Sequence, residues 1–295
     1  ALLEDVILGC AYPEASQGNN LARIVGLLAG LPETVGGMTV NRFCGSAMQA
    51  VHIAAAQIEA GMGDAFLCVG VESMTMVPQG GFNFSPNPQL QANTDAYISM
   101  GETAENVAQR WGVSRADQEL LALQSHLKAA AARDQGLLID EIVPILLPDG
   151  ELLDADGCIR PATTLEALAG LKPAFKPDGV VTAGTSSPLT DGAAAVLVTR
   201  DDFAERHGLQ ALARIRSFIQ ARFAEPLREL SRRDAHRHGP TFEESEILAW
   251  PPERNSLADL RWRVVRGGLL FGGTLSEGIA LGLQTGFDSG STLDY

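Results

Sequence analysis

Over roughly the first quarter of the chain, apolar residues fall in short unbroken runs bounded by glycine or polar residues. Residues 6–10, the run leading to Cys44, and residues 64–70 have this form, which suits buried parallel strands. Between them lie alanine-rich segments, and small-residue helices of that kind pack closely in layers. The alternation predicts an α/β architecture. Residues 46–60 carry very few charges, so a helix buried on most of its sides is expected there, stopped by Gly61 and Gly63. From residue 78 to 182 the texture loosens. Residues 79–88 are a loop by composition, and helices are expected over 101–111 and 114–135. Ser114 with Asp117 reads as a capping box opening the second helix, and Gly136 closes it. Pro144, Pro148, Pro161, Pro173 and Pro177 break up the remainder of this region. An apolar run returns at 192–198 and reads as a central strand.

The join at Met38-Thr39-Val40-Asn41-Arg42-Phe43-Cys44-Gly45-Ser46-Ala47 carries the candidate chemistry. It reads as strand, tight turn and helix, with Cys44 at the helix N-terminus. Unpaired N–H groups and the positive end of the helix dipole lie at such a place, and both favour thiolate over thiol. A free cysteine titrates near ~8.5, and positions of this kind lower that by roughly one to several units. Strand-to-helix elbows also hold nucleophiles exposed in otherwise buried α/β sheets. The alternative is a buried structural cysteine, because free cysteine is among the most buried residue types. His52, on the same predicted helix, is expected to be a satisfied core or interface histidine rather than a catalytic one.

At 295 residues and 45% hydrophobic the chain can bury a large core, and its length suggests two domains. A net charge of −14 argues against nonspecific nucleic-acid binding and against adhesion to anionic membranes. Cys10, Cys44, Cys68 and Cys158 show neither metal-ligand spacing nor a secreted disulfide framework. A reducing compartment, the cytoplasm, is therefore expected. No apolar run reaches transmembrane length and no signal peptide is legible. The stretch 216–295 differs from the rest: its basic residues are all arginine, Pro251 and Pro252 break any helix, and glycines crowd 267–290. With no sustained period it has little to pack, and an irregular tail is expected.

Five ordered blocks resemble the thiolase family. They are Val40-Asn41-Arg42-Phe43-Cys44-Gly45-Ser46-Ala47-Met48-Gln49-Ala50; Val69-Gly70-Val71-Glu72-Ser73-Met74; Met100-Gly101-Glu102-Thr103-Ala104-Glu105-Asn106-Val107-Ala108; Ile159-Arg160-Pro161 through Leu171-Lys172-Pro173-Ala174-Phe175; and Val181-Thr182-Ala183-Gly184-Thr185-Ser186-Ser187 to Thr190-Asp191-Gly192-Ala193-Ala194-Ala195. The resemblance covers residues 5–215. It implies a layered core from 1–77 and 183–215, a CoA-binding loop domain over 78–182, and a C-terminal half that is missing or replaced at 216–295. Thiolases also carry a strand and helix ahead of the strand at 6–10, so the chain is expected to be a fragment or an incomplete gene product.

The same resemblance implies acyl transfer between a 3-ketoacyl-CoA and CoA through a cysteine thioester, with Cys44 as nucleophile. It puts Met100 on the wall of a pantetheine site, Lys172 near the CoA nucleotide and Thr199 near the adenine end. Coenzyme A would be co-substrate, with no covalently bound cofactor and no metal, and a homo-oligomer is implied. The family's Gly-His-Pro, Cys-x-Gly-Gly-Gly and Asn-Glu-Ala-Phe segments, which supply proton transfer and an oxyanion site, are not found in these 295 residues. His238-Gly239-Pro240 has the wrong order, and in the run 278–286 Leu283 would stand where a histidine is needed. Three readings are open: a degradative 3-ketoacyl-CoA thiolase of β-oxidation with impaired activity; a non-catalytic CoA- or acyl-CoA-binding remnant; and, ranked last, a ketosynthase of the same superfold.

Overall fold

The computed structural model describes residues 2–215; the irregular tail expected at 216–295 lies outside the described residues. Three parallel strands come first along the chain: β1 (Asp5–Gly9), β2 (Gly36–Val40) and β3 (Ala65–Ser73), linked by helices α1 (Leu21–Leu28) and α2 (Ser46–Glu59). β1 lies between the other two, with Ile7 opposite both Met38 and Cys68. Its alternating side chains supply both cores. Val6 and Leu8 join Ala22, Val35 and Val69 beneath α1, while Ile7 joins Ala50, Ala54, Phe66 and Cys68 beneath α2. Burial on both faces is why β1 and the first half of β3 read as continuous apolar runs, whereas β2, an edge of the described sheet, is only partly buried. The two-sided burial also places α1 and α2 on opposite faces of the sheet.

The fourth strand, β6 (Asp191–Thr199), arrives after a long insertion and pairs antiparallel with β3, from Ala65 opposite Thr199 to Ser73 opposite Asp191. The sheet order is β2-β1-β3-β6. The apolar run at 192–198 was expected to be a central strand, and here the structure differs: β6 is an edge of the described sheet. Val196 is 40% and Leu197 45% exposed. An apolar run registers the absence of polar side chains, not the presence of a second neighbour. A similar correction applies to α2. Only Ser46, Ala47, Ala50 and Ala54 are buried along it, and Met48 is 52% exposed. The helix covers the sheet with one stripe, and no layer among the described residues covers its outer side.

The insertion contributes α3 (Pro88–Asn93), α4 (Met100–Trp111), α5 (Arg115–Asp134), a two-residue hairpin of β4 (Ile145–Leu146) with β5 (Leu152–Leu153), and α6 (Leu165–Ala169); α7 (Asp201–Arg206) comes after β6. α4 opens on a full capping box: Glu102 N donates to Ser99 Oγ at 3.1 Å and Ser99 N to Glu102 Oε2 at 3.0 Å. At α5 only half the expected box forms. Ser114 Oγ accepts from Asp117 N at 3.2 Å, while Asp117 Oδ2 takes the Ser114 hydroxyl at 2.6 Å. Aspartate is one methylene shorter than the glutamate that usually closes the box onto the backbone.

Two buried carboxylates fasten this insertion to itself. Glu105, 5% exposed, accepts from Val180 N at 3.0 Å and Val181 N at 2.9 Å. Glu119 pairs with Arg115 at 2.6 Å, and that guanidinium also donates to the carbonyls of Leu168, Ala169 and Leu171. A buried carboxylate is costly unless donors surround it; the donors to Glu105 come from a segment distant in sequence, while Glu119 is met by Arg115 one helical turn away, whose guanidinium reaches the distant carbonyls.

The core is open to two tests. α2 approaches β1 so closely that a Cβ at Gly9 would lie 2.3 Å from Ala47 N and 2.7 Å from Ala47 Cα. Backbone cannot yield as a side-chain tip does, so Gly9→Ala should lower stability by about 1–3 kcal/mol or more, read as a fall in the urea midpoint. The second concerns alkali. Burial, joined at Cys10 by the Glu72 carboxylate, pushes the Cys10 and Cys68 thiols from 9.0 up to about 12. A raised folded pKa favours the neutral thiol, so this contribution is whole below about 9 and is lost as pH climbs toward 12. Urea midpoints measured across that window should fall for the wild type. The stability gap between wild type and Cys68→Ala should narrow over the same interval.

Candidate active site

The carboxyl ends of the parallel strands β1 and β3 open onto a cavity of about 890 Å³, with the start of α2 at its rim. Such crevices beyond the carboxyl ends of parallel strands are where α/β sheets bind ligands. The volume is within the ~300–1,000 Å³ usual for small-molecule sites. From the sheet come Tyr12, Cys44 and Glu72; from the insertion come Met100, Val107 and Phe175. The insertion therefore roofs the strand ends with a largely apolar wall. Phe175 is wedged so tightly over α4 that a Cβ at Gly101 would lie 2.1 Å from its ring.

Cys44 stands on the turn between β2 and α2 and is exposed. It precedes the helix N-cap, Gly45, rather than occupying the first helical turn. The turn is strained: Phe43 has φ +46°, a left-handed conformation that costs a bulky residue about 1–3 kcal/mol. Hydrogen bonds hold it. Phe43 N donates to Asn41 Oδ1 at 2.8 Å and Ser46 N to Phe43 O at 3.0 Å. Arg42 N donates to the buried Ser46 hydroxyl at 2.8 Å, and that hydroxyl donates on to Phe43 O. Burial of one large core side chain is worth ~1.5–3 kcal/mol, so the fold carries this strain without difficulty. Beside the turn the rings of Tyr12 and Phe43 meet at 6.2 Å and 54°.

The other cysteines have different surroundings. Cys10 and Cys68 are buried and Cys158 half-buried. Cys10 lines the cavity floor, and its thiol donates to Glu72 Oε1 at 3.6 Å. His52 is half-buried on α2 and outside the cavity lining; burial, then the nearby Arg42, holds its imidazole below the ordinary value. His126 is likewise lowered, by burial and then Arg160, and its Nδ1 accepts from Arg160 N at 3.2 Å. His207 packs its ring on Phe203 at 4.4 Å. Among the described residues no histidine lines the cavity; His236 and His238 lie outside them.

The remaining predicted site residues separate. Met100 lines the cavity at the first position of α4. Lys172 is exposed, outside the lining, beside the Leu171 carbonyl that Arg115 holds. Thr199 ends β6, whereas the cavity touches the beginning of that strand. At about 3.3 Å per residue, Thr199 is roughly 26 Å from Asp191. Asp191 opens β6 and ties down the turn that follows β3. Burial works to raise its carboxyl, but hydrogen bonds from Thr75, Ser73 and Met74 outweigh that and hold it below the ordinary value; Thr75 N donates to Oδ1 at 2.9 Å.

Sequence reasoning missed Glu72, Gln17 and Asn41. Ala11 N donates to Glu72 Oε2 at 2.6 Å, and Gln17 Nε2 to Oε1 at 2.9 Å. A carboxylate closing an otherwise apolar strand was the available signal, since such a charge needs donors from elsewhere.

Comparison with known proteins agrees with this geometry. The family model described as the thiolase N-terminal domain matches residues 1–202. A 3-ketoacyl-CoA thiolase of Bacillus subtilis (strain 168) is 44% identical over 229 residues, covering 73% of this chain and 59% of that protein. One of Shewanella denitrificans is 48% identical over 229 residues, covering 75% and 58%. The crystal structure of the dimeric peroxisomal thiolase of Saccharomyces cerevisiae superposes with a TM-score of 0.66 at 39% identity, over 72% of this chain and 56% of that one. The chain thus spans under three fifths of the length of these relatives. A second family model, described as a putative methyltransferase, matches residues 215–295, the stretch in which the sequence by itself showed no thiolase feature. Through its N-terminal domain, which holds the Cys44 elbow and the cavity before it, the chain belongs to the thiolase family.

Proposed function

We propose that this chain carries the nucleophile and acyl-CoA-binding half of a degradative 3-ketoacyl-CoA thiolase, acting in β-oxidation. The observation that carries the reading is the exposed Cys44, held by a strained elbow at the mouth of an apolar cavity. In the proposed reaction Cys44 Sγ adds to the C3 carbonyl of a 3-ketoacyl-CoA. The C2–C3 bond then breaks, leaving the acyl group on sulfur as a thioester. The electron pair stays on C2 of the departing acetyl-CoA, which takes up a proton. The thiol of a second CoA attacks the thioester and gives up its proton, releasing the shortened acyl-CoA and restoring Cys44.

In this reading Met100, with Val107 and Phe175, forms the apolar wall along the pantetheine and acyl chain. Lys172 is proposed as an exterior charge for the CoA phosphates, a role lysine fills as a point charge rather than a bidentate fork. Thr199 as an adenine contact draws no support from its place at the far end of β6. Coenzyme A is the co-substrate, and no covalently bound cofactor or metal enters the proposed reaction. A homo-oligomer is proposed from the exposed outer side of α2 and the open edge of β6. No helix among the described residues is long and apolar enough to cross a membrane; a cytoplasmic setting is part of the proposal.

The step that releases acetyl-CoA needs a proton donor of matched pKa. Within the cavity the second thiol, Cys10, is pushed up to about 12 by burial and by Glu72, a poor match near neutral pH. This favours a second reading, a CoA- or acyl-CoA-binding protein that is acylated at Cys44 without completing the cycle. Exchange of radiolabelled CoA into acetyl-CoA needs only the thioester and is expected in both; release of acetyl-CoA from acetoacetyl-CoA, which needs the carbanion to be protonated, separates the two.

Two outcomes are expected. Limited iodoacetamide treatment near neutral pH, with peptide mapping afterwards, should modify Cys44 before Cys10 or Cys68, whose raised pKa keeps them protonated. Prior labelling of Cys68 would count against the elbow. Calorimetry should show CoA binding that weakens in Lys172→Ala. Cleavage of acetoacetyl-CoA should fall about 10²–10⁴-fold below that of a full-length relative, the loss typical of a missing acid–base group; cleavage at the relative's rate would remove the impaired reading.

A further inference from the structure

The carboxyl ends of β1, β2 and β3 are joined by one continuous chain of hydrogen bonds that the proposed reaction does not itself use. It starts at Glu72, near the end of β3. Glu72 Oε2 accepts from Ala11 N at 2.6 Å, and Oε1 from Tyr12 N at 3.3 Å, both in the loop after β1. The other face of the same peptide segment continues it: Ala11 O accepts from Asn41 Nδ2 at 2.9 Å, in the turn after β2. Asn41 Oδ1 in turn accepts from Phe43 N at 2.8 Å, the peptide whose left-handed twist presents Cys44. Gln17, 4% exposed, locks the far end, donating to Glu72 Oε1 at 2.9 Å while its own Oε1 accepts from Ser73 N at 2.5 Å.

We infer that Glu72 and Asn41 are positioning residues for Cys44, acting as one unit through the Ala11 peptide. Residues 11, 41 and 72 are far apart in sequence, so no local turn preference can supply the bonds between them; only the last bond, from Phe43 N to Asn41 Oδ1, is a local Asx turn. Each member is used in a way its chemistry dictates. The carboxylate is acceptor-only and meets donors. The asparagine must turn its amide nitrogen to the Ala11 carbonyl and its oxygen to the Phe43 N–H, so only one of its two flipped orientations satisfies both partners. The Ala11 C=O and the Tyr12 N–H belong to one trans peptide and point to opposite partners, Asn41 and Glu72, so a rotation of that peptide at the Glu72 end moves the acceptor that holds Asn41. The elbow is strained, and without Asn41 Oδ1 the Phe43 peptide loses a bond fixing it in that conformation. Cys44 would then sample other directions, and its presentation to the cavity would fall even with the protein folded.

This inference rests on Cys44 being the reactive thiol, and the test separates the two. Pseudo-first-order iodoacetamide modification of Cys44 is measured by peptide mapping across pH in the full chain. Wild type is compared with Asn41→Ala, Glu72→Gln and the double variant, with urea midpoints in parallel. Each single variant should lower the high-pH limiting rate at Cys44 by about three- to tenfold, the worth of one net hydrogen bond, and shift the profile's midpoint. The double variant should be no slower than the slower single one, because the two act through one connection. Asn41→Asp keeps the acceptor for Phe43 N and loses the donor to Ala11, so it should also slow Cys44, and it carries the test if Asn41→Ala fails to fold. Wild-type rates in both singles, or effects that multiply in the double, would overturn the inference while leaving Cys44 as nucleophile. If Cys44 is not the first thiol modified in the wild type, the functional reading falls and this inference with it.

Discussion

The approach of α2 to β1 at Gly9 is the contact on which the rest of the described structure turns. With hydrogen in place of a Cβ, the backbone of Ser46 and Ala47 rests directly on the strand, where any side chain would meet Ala47 N at 2.3 Å. That contact fixes the first turn of α2 over the end of the central strand. Because α2 begins two residues after Cys44, it also fixes how far the elbow projects beyond the sheet. The opposite face of β1 is held by a separate core beneath α1, so the strand is clamped between two layers. A sheet held less firmly could not keep Phe43 in a left-handed conformation one residue before the proposed nucleophile.

Around that rigid floor, charge does the long-range fastening. Glu72 gathers the loop after β1, Glu105 gathers residues 180–181 onto α4, and Arg115 gathers the carbonyls that end α6. In each case a group that is costly to bury is compensated by several backbone partners, and hydrogen bonds to charged groups are stronger than those between neutral ones. The apolar roof therefore need not hold itself in place by packing alone. Met100 and Phe175 can line an open cavity because the segments bearing them are anchored elsewhere.

The two parts of the chain have different likenesses. Residues 1–202 match the thiolase N-terminal domain and residues 215–295 a putative methyltransferase family. Lysine stops earlier, at Lys176 within the first part, and every later basic side chain except histidine is arginine. Within the first part, the elbow carries Cys44, the nucleophile of the proposed chemistry. The cavity residues that would contact the rest of an acyl-CoA come from the insertion. In the proposed function, binding and bond-making are divided between two segments of one domain.

By itself the sequence determined the elements and the elbow. Apolar runs identified β1, β2 and β3 to within a few residues, because the buried stretches of β1 and β3 admit few polar side chains. Ser114 marked the start of α5 through a bond to a residue three positions away, and the motif around Cys44 marked the turn. All of these are local. What the tertiary structure alone decided is non-local. Nothing in residues 192–198 states that β6 has one neighbour and not two, and nothing in 46–60 says which side of α2 lacks a partner. Lys172 and Thr199 were placed by likeness of short motifs, which does not register distance from a cavity. The Glu72–Ala11–Asn41 connection spans three strand ends, and hydrogen bonding of that reach leaves no periodic trace in sequence; it exists only once β1 lies between β2 and β3.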